Sequence, residues 1–492
     1  MNEHLCRGET HVFESDGRLI LFDVLGGGFF EIDGVTRDAL DTCDGKTPEA
    51  VARDLAGRHG SEEVLTALDG LKQAEVVTGE PLQVAPFHPT SRVEITHLAL
   101  CLTRDEAEVR SPKSVPRYAP AGLLGITGLP NPRVAAKGRV SRGRTRDSGP
   151  GTLYMSERVA LGAVDFLLRA SGCLRDCEIS FEGGEPLLNL PLLRRVVAYG
   201  EERAGDAGKR MGFEVVTDGA LLTRRIADDF AEKEVEVVLR VEGEGNPDVL
   251  KRAAAALDGY PHLTLQIVVN GRIPDLSGCT DALLRLFPSA ASVGIRWAAG
   301  LLPERLEEAF SELEDVRRQT VGHVLRGEET VLEELEGPVA QLLERQVLLY
   351  GCGAGTRSAA VSPEGGLFPC FGLIEARAFC VGDVFSGIDA ERYRRWMQDL
   401  HAERRTPCRT CWARYLCGGG CWADAVLSTG DLATPNPVSC ARIRRTYELA
   451  MAVCVEVEER SPGLLSARHL TGSCVSHEVP IADERPVLER YA

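Results

Sequence analysis

Between residues 94 and 300 the sequence alternates short apolar runs with amphipathic stretches, and it does so six times. The apolar runs are EITHLALCL, EISF, FEVVT, VEVVLRV, LTLQIVV and SVGIRW; SERVALGAVDFLLRA, PLLNLPLLRRVVAYGEERA and LTRRIADDFAEK are among the segments between them. Runs of four to nine residues separated by helical periodicity are the signature of βα units on a parallel sheet. Six units predict a partial (β/α)6 barrel in the α/β class, with ligands at the C-terminal ends of the strands.

The rest of the chain is organised around that core. At 492 residues it is too long for one core, and length alone predicts several domains. Near the start, HVFE, LILFDV and FFEI read as strands joined by SDG and LGGG turns. Three helical patterns follow, VTRDALDTC, TPEAVARDLAGRH and SEEVLTALDGLKQ, with Thr47 and Ser61 as expected N-caps. Three strands then three helices predict a small winged-helix-like α+β domain over residues 1–88. These elements resemble the PqqD-like peptide-recognition unit, and the resemblance implies an exposed sheet edge near Phe29 to Asp33, beside the helix of residues 61–73. Such an edge can take up an extended peptide as an extra strand. A DNA-binding winged helix is the alternative, but SEEVLTALDGLKQ carries more acid than base, which suits a phosphate backbone poorly. The net charge of −17 likewise gives no general attraction to nucleic acid or anionic lipid. No apolar run approaches the ~20 residues that span a bilayer, and MNEHLCRGETHVFE has no apolar signal core, so the expected location is the cytoplasm.

Sixteen cysteines are too many for chance, and a reducing cytosol argues against structural disulfides. Nine are scattered and read mostly as buried free thiols. The other seven are patterned: Cys352, Cys370, then Cys408, Cys411, Cys417 and Cys421 within CRTCWARYLCGGGC, and Cys440. Thiolates so spaced suit an iron–sulfur cluster or tetrahedral zinc, and spacing alone does not choose between them.

Four motifs carry a family resemblance. FEGGEPLLN (181–189) looks like the GGEP motif of the radical S-adenosylmethionine (SAM) superfamily, and FEVVTDGALLT (213–223) is similar to that family's next landmark. The seven-cysteine array, with VSPEGGLFPCFGL and VGDVFSG, resembles the SPASM domain of peptide-modifying members. The first domain resembles the PqqD-like leader-recognition unit of such enzymes. Together these match radical SAM/SPASM maturases of ribosomally made peptides over about residues 10–445. The resemblance implies domains at 1–88 (peptide recognition), 94–300 (barrel), 301–350 (helical bridge), 351–445 (SPASM) and 446–492 (C-terminal helix and tail). It implies that Gly183, Gly184 and Glu185 hold the amino group of SAM. It further implies one [4Fe–4S] cluster on Cys408, Cys411, Cys417 and Cys440, and a second on Cys352, Cys370 and Cys421.

One departure is decisive for function. Where the family carries Cys-x3-Cys-x2-Cys after the first strand, this chain reads LTRDEAEVRSPKSVP and sets Glu106, Arg110 and Lys113 at the ligand positions. A carboxylate and two cations cannot replace three thiolates on iron. Cys173 and Cys177 have an x3 gap, but they precede the second strand, on the wrong side of the sheet. LRVEG (239–243) also puts Arg240 and Glu242 where relatives have Ser and Asp. Residues 110–146 hold nine Lys or Arg and no acid and are expected to form a long basic loop, either simply solvated or docking an acidic partner. The expectation is therefore a pseudoenzyme subunit that binds a precursor's leader and carries auxiliary clusters beside a catalytically intact radical SAM partner. Its catalytic residues are unassigned and SAM binding is left open. Two alternatives stand: an active enzyme with an atypical SAM site, and a zinc-stabilised peptide-binding scaffold.

Overall fold

The computed structural model describes residues 4–81, 94–105, 152–270, 272–298, 302–374 and 376–470. The three substituted ligand positions, the basic segment 110–146, Cys474 and the tail from residue 471 lie outside the described residues.

The six expected strands are present: β4 (His97–Cys101), β5 (Asp176–Glu182), β6 (Arg210–Thr217), β7 (Glu236–Glu242), β8 (Leu263–Val269) and β9 (Ala290–Trp297). They pair in parallel in chain order. The intervening helices are α4 (Glu157–Ala170), α5 (Leu190–Asp206), α6 (Arg224–Glu232), α7 (Pro247–Ala256) and α8 (Leu276–Leu286). Four start at side-chain caps that the sequence supplies, Ser156, Thr223, Asn246 and Asp275, each accepting from a backbone amide of the first turn. Alternation along each strand sorts the faces. Ile179, Phe181, Val215, Val237, Leu239, Leu263, Leu265 and Ile267 are fully buried in the main core. The intervening residues turn inward, and many are polar, Glu178, Ser180, Glu214, Arg240 and Gln266 among them. His97 bonds Ser180 at 3.0 Å, Thr264 donates to Glu236 at 2.9 Å, and Ser292 donates to Glu333 at 2.5 Å.

The sheet does not stop at six strands. Beyond β9 it adds Val331–Leu332; beyond β4 it adds β10 (Ser358–Val361) in parallel, then β11 (Gly366–Phe368) and two short antiparallel strands. The order is linear across eleven strands, so the barrel is open, and the cysteine-rich segment continues the barrel's own sheet. The bridge is α9 (Leu306–Arg326) and α10 (Glu333–Leu343), both packed on α12 (Pro437–Arg460). α12 starts inside the segment assigned to the cysteine-rich domain and carries Cys440 on its first turn, so the expected boundary at 445/446 cuts a continuous helix.

The first domain has the expected elements: antiparallel β1 (Thr10–Ser15), β2 (Arg18–Asp23) and β3 (Phe29–Ile32), then α1 (Gly34–Thr42), α2 (Pro48–Leu55) and α3 (Ser61–Gln73). Cys6–Arg7 pairs with Val77–Thr78 to close it. Thr47 caps α2 as expected. Ser61 does not cap α3: it is the first helical residue, Gly60 holds the cap, and the Glu63 carboxylate accepts from the Gly60 N–H at 3.0 Å. Val12, Leu21 and Ile32 face the domain's helices, whereas Phe13, Ile20, Phe22 and Phe29 pack into the main core. The small sheet is thus a wall shared between its own domain and the body of the molecule.

Candidate functional sites

Three places carry chemistry: the mouth of the barrel, the thiols, and a groove in the first domain. At the barrel mouth, β5 runs into Gly183 and Gly184, both left-handed at φ +81° and +52°. Neither position has room for a side chain. A Cβ on Gly183 would fall 2.7 Å from the Phe371 ring and 2.8 Å from Cys101 Sγ; one on Gly184 would fall 2.8 Å from Thr103 Oγ1. Thr103 Oγ1 donates to the carbonyls of Gly183 and Glu185, at 3.3 and 3.1 Å. The Glu185 carboxylate accepts from Leu187 N at 2.9 Å, from Thr217 Oγ1 at 2.9 Å and from Asp218 N at 3.2 Å. Burial pushes its acid up, against those donors. A carboxylate offers about four acceptor directions, so three donors leave room for one further N–H. The GGEP segment therefore ties β4, β5 and β6 together from within the protein.

Deeper in the barrel, burial lowers the Arg240 guanidinium, and Arg296 lowers it further against the pull of Glu182, Glu242 and Glu185. Its Nε and Nη2 are buried without a hydrogen-bond partner. Towards the N-terminal ends of the strands, burial and the carboxylates of Glu178, Glu236, Glu182 and Glu333 push Glu214 well up. Sequence reasoning missed this acidic interior. Its signal was visible: a Glu recurs at an inward position of EISFE, FEVVT and VEVVL. Cys173 is exposed at the α4–β5 junction and Cys177 is buried at the start of β5, away from the mouth.

The seven patterned thiols fall into two groups. Cys417 is pushed up to about 12, first by burial and then by Cys440, Cys408 and Cys411. Cys440 and Cys408 are raised by burial and by neighbours from the same four. Burial raises Cys370, with Cys352 and Cys421 next, and Cys421 is pushed up to about 11 by burial and Cys352. Glycines bring the segments together. A Cβ on Gly351 would sit 3.0 Å from the Gly420 carbonyl, one on Gly418 would overlap the Tyr350 carbonyl carbon, and one on Gly372 would fall 2.6 Å from Ala423. Gly418, Gly419 and Gly420 all have positive φ, which lets this loop fold back on itself. Among the described residues, no three His, Cys, Asp or Glu side chains converge closely enough to hold a single metal ion.

A second residue missed from the sequence is Arg405, only 2% exposed. It donates to the carbonyls of Ala433 at 3.0 Å, Leu432 at 2.7 Å and Gly419. Burial lowers it, while Cys408, Cys417 and Cys440 pull it back up. A buried cation needs a counter-charge, and this one stands beside the four thiols.

The groove lies between β3 and α3 and has a volume of about 860 Å³. Its floor is Leu21, Ile32, Val35, Ala67, Leu71 and Val76; its rim carries Glu31, Asp33, Glu62 and Glu63 and no cation. Among the described residues, β3 pairs only with β2. Asp23 N donates to Gly28 O at 2.8 Å, so by alternation Phe29 and Glu31 turn their backbone groups to the open side. The opposite edge, β1, docks on the thiol lobe. His11 stacks on Trp412 at 4.0 Å, next to Cys411, and Arg414 pairs with Glu9 at 2.7 Å. Arg317 gathers Asp16, Glu314 and Glu456 at 2.5–2.6 Å. No helix of the described residues is long and apolar enough to cross a membrane.

No family model matches the chain. Among curated proteins it is similar to a PqqA peptide cyclase of Granulibacter bethesdensis, 26% identical over 301 residues, covering 54% of this chain and 74% of that one. A PqqA peptide cyclase of a Methylobacterium species is 25% identical over 228 residues, 42% of this chain and 55% of that one. Among solved structures, native anSMEcpe with bound AdoMet aligns with a TM-score of 0.51 at 16% identity, over 64% of this chain and 92% of that one. The chain shares that protein's fold, a mixed α/β architecture on a large, mostly parallel sheet.

Proposed function

We propose that this chain is a maturation protein for a ribosomally synthesised precursor peptide. It binds the precursor's leader along β3, carries two [4Fe–4S] clusters on its patterned thiols, and works beside a catalytically intact radical SAM protein. The partition of seven thiols into a four and a three, on a chain similar to PqqA peptide cyclases, carries this reading. The donor sets fit iron–sulfur: thiolates from Cys408, Cys411, Cys417 and Cys440 in one, and from Cys352, Cys370 and Cys421 in the other. A single zinc ion would draw four sulfurs to roughly 3.8 Å of each other, from Zn–S bonds of about 2.3 Å. The described thiols do not converge on one ion in that way.

The open edge and apolar floor of the first-domain groove support peptide docking by strand addition. Its acidic rim favours a peptide segment that carries Lys or Arg. The barrel contributes a frame: Glu185 and Thr103 brace the mouth, and the sequence that follows the first strand supplies no cysteine triad for a SAM-cleaving cluster. The test is to reconstitute the purified chain anaerobically with iron and sulfide, then add dithionite and SAM. The expected result is auxiliary-cluster iron and no 5′-deoxyadenosine. Turnover by the isolated chain would make it an active radical SAM enzyme instead, and zinc without sulfide would make it a scaffold.

A further inference from the structure

The wall of the three-thiol set holds a polar atom with no partner. Tyr393, on the helix Ala390–Leu400, is 1% exposed, and its hydroxyl makes no hydrogen bond. Leaving a buried hydroxyl unpaired is costly, so folded chains rarely keep one without reason. Its place is narrowly defined. A Cβ on Gly355 would lie 2.8 Å from the Tyr393 oxygen and 3.0 Å from the Trp422 ring. Gly355 follows Cys352 by three residues, and its N–H donates to the carbonyl of Pro369, the residue before Cys370, at 3.2 Å. Trp422 follows Cys421 directly. The hydroxyl thus stands where the three cysteine-bearing segments meet. Tyr350, close by, is already committed, donating to the Met397 carbonyl at 2.6 Å.

We propose that the Tyr393 O–H donates a hydrogen bond to the iron–sulfur cluster held by Cys352, Cys370 and Cys421, and that its hydroxyl is satisfied only when that cluster is in place. The inference rests on the iron–sulfur reading above and adds a residue that the cysteine pattern does not contain. Thiolate and sulfide sulfurs accept hydrogen bonds, and a donor favours the more negative, reduced state. Hydrogen bonds to the sulfurs are one of the protein's means of setting a cluster's potential. Three protein thiolates leave one iron without a cysteine, and a fixed donor in the wall compensates part of what a fourth ligand would do to hold the cluster.

The signature is a change of sign. Tyr393→Phe keeps the ring and its packing. In the metal-free chain it removes an unpaired hydroxyl, so the melting temperature stays level or rises. In the loaded chain it removes a donor, so the midpoint potential of the three-thiol cluster falls while that of the four-thiol cluster holds. Iron and sulfide analysis, EPR-monitored redox titration, and melting with and without metal read all of this on wild type and variant. Wild type that takes up no iron and sulfide overturns the iron–sulfur reading itself. Wild type that loads, with a variant matching it in both potentials and both melting temperatures, overturns the role of Tyr393 alone. An equal loss of stability with and without metal overturns it too, because that is what a packing residue would give.

Discussion

The barrel mouth and the cysteine lobe sit on one continuous sheet, yet they differ in what they leave unsatisfied. At the mouth the protein completes its own network: Glu185 is occupied by Thr217 and two amides, and Thr103 holds the loop's carbonyls. In the lobe the protein's own groups do not close the account. Buried thiols crowd one another, the buried Arg405 donates to backbone carbonyls, and Tyr393 has a hydroxyl with no acceptor among the described residues. The GGEP segment thus braces the mouth from within the protein, whatever else it binds.

The largest effect expected from breaking this contrast is at the thiols. Cys417→Ser should cost the loaded protein half of its iron and destabilise it severely, since metal binding at such sites is folding free energy. The equivalent change at the scattered Cys173, exposed at a turn, should leave iron content and melting temperature unaltered. Iron analysis and thermal melting of the two variants check this. Equal iron content in both would remove the four-thiol assignment.

The second effect is on pH dependence. In the metal-free chain burial and mutual repulsion raise Cys417 to about 12 and Cys421 to about 11, from an ordinary 9.0. A raised folded pKa contributes stability that is present below the unfolded pKa and lost as pH rises through the folded one. The metal-free protein should therefore weaken between about pH 9 and 12. The loaded protein, whose thiols have already lost their protons, should lack that dependence, and loading itself should improve from pH 6 to 8.5 because it releases protons. Chemical denaturation across that range, with and without metal, distinguishes the two. Arg405→Gln adds a smaller term of the same kind: weaker retention of the four-thiol cluster on dilution, with the three-thiol cluster unchanged.

How much of this was legible beforehand follows from where the information lies. The six strands were readable because they are local, period-two runs bounded by caps, whereas the division of the seven cysteines came from the family resemblance alone. The continuation of the barrel sheet into β10 and β11 was not, because β4 pairs with Ser358–Val361 across some 260 residues. Arg405 and Tyr393 were invisible for the same reason. Nothing in AERRTPC or AERYRRW separates a solvated residue from one folded in among thiols. The 445/446 boundary falls inside α12 because Cys440 belongs by pattern to the cysteine lobe and by backbone to a 24-residue helix.

At the barrel mouth, bracing and ligand binding make different predictions for one residue. If Glu185 is a brace, Glu185→Gln should lower stability with no ligand present, by about 1–3 kcal/mol for the amide donors it leaves facing an NH2 group. A residue kept only for a ligand would tolerate the change in the free protein. Gly183→Ala sharpens the point, since its left-handed backbone and its contacts with Phe371 and Cys101 make any Cβ costly, on the order of 1–3 kcal/mol from strain alone. Denaturant titration of both variants in the metal-free state reads this without SAM.

The smallest expected effect on stability is at the groove, and it is the one that speaks most directly to the partner. Ala67 lines the floor on α3 and is partly buried, so Ala67→Tyr fills the space where a strand would lie while the helix keeps its core residues Val64, Leu68 and Leu71. The fold should hold within about 1 kcal/mol, the usual range for substitutions outside the core. Binding of an extended peptide should weaken tenfold or more, because strand addition needs both the β3 edge and the floor. Glu62→Lys, on the acidic rim, should weaken only peptides that carry Lys or Arg, and less so as salt rises, since an exposed charge is screened over about 10 Å at 0.1 M. Fluorescence anisotropy with a basic and an acidic peptide of the same apolar pattern separates the two. A Glu62→Lys variant that binds both peptides as wild type does would leave the floor as the sole determinant and take charge out of the partner's description.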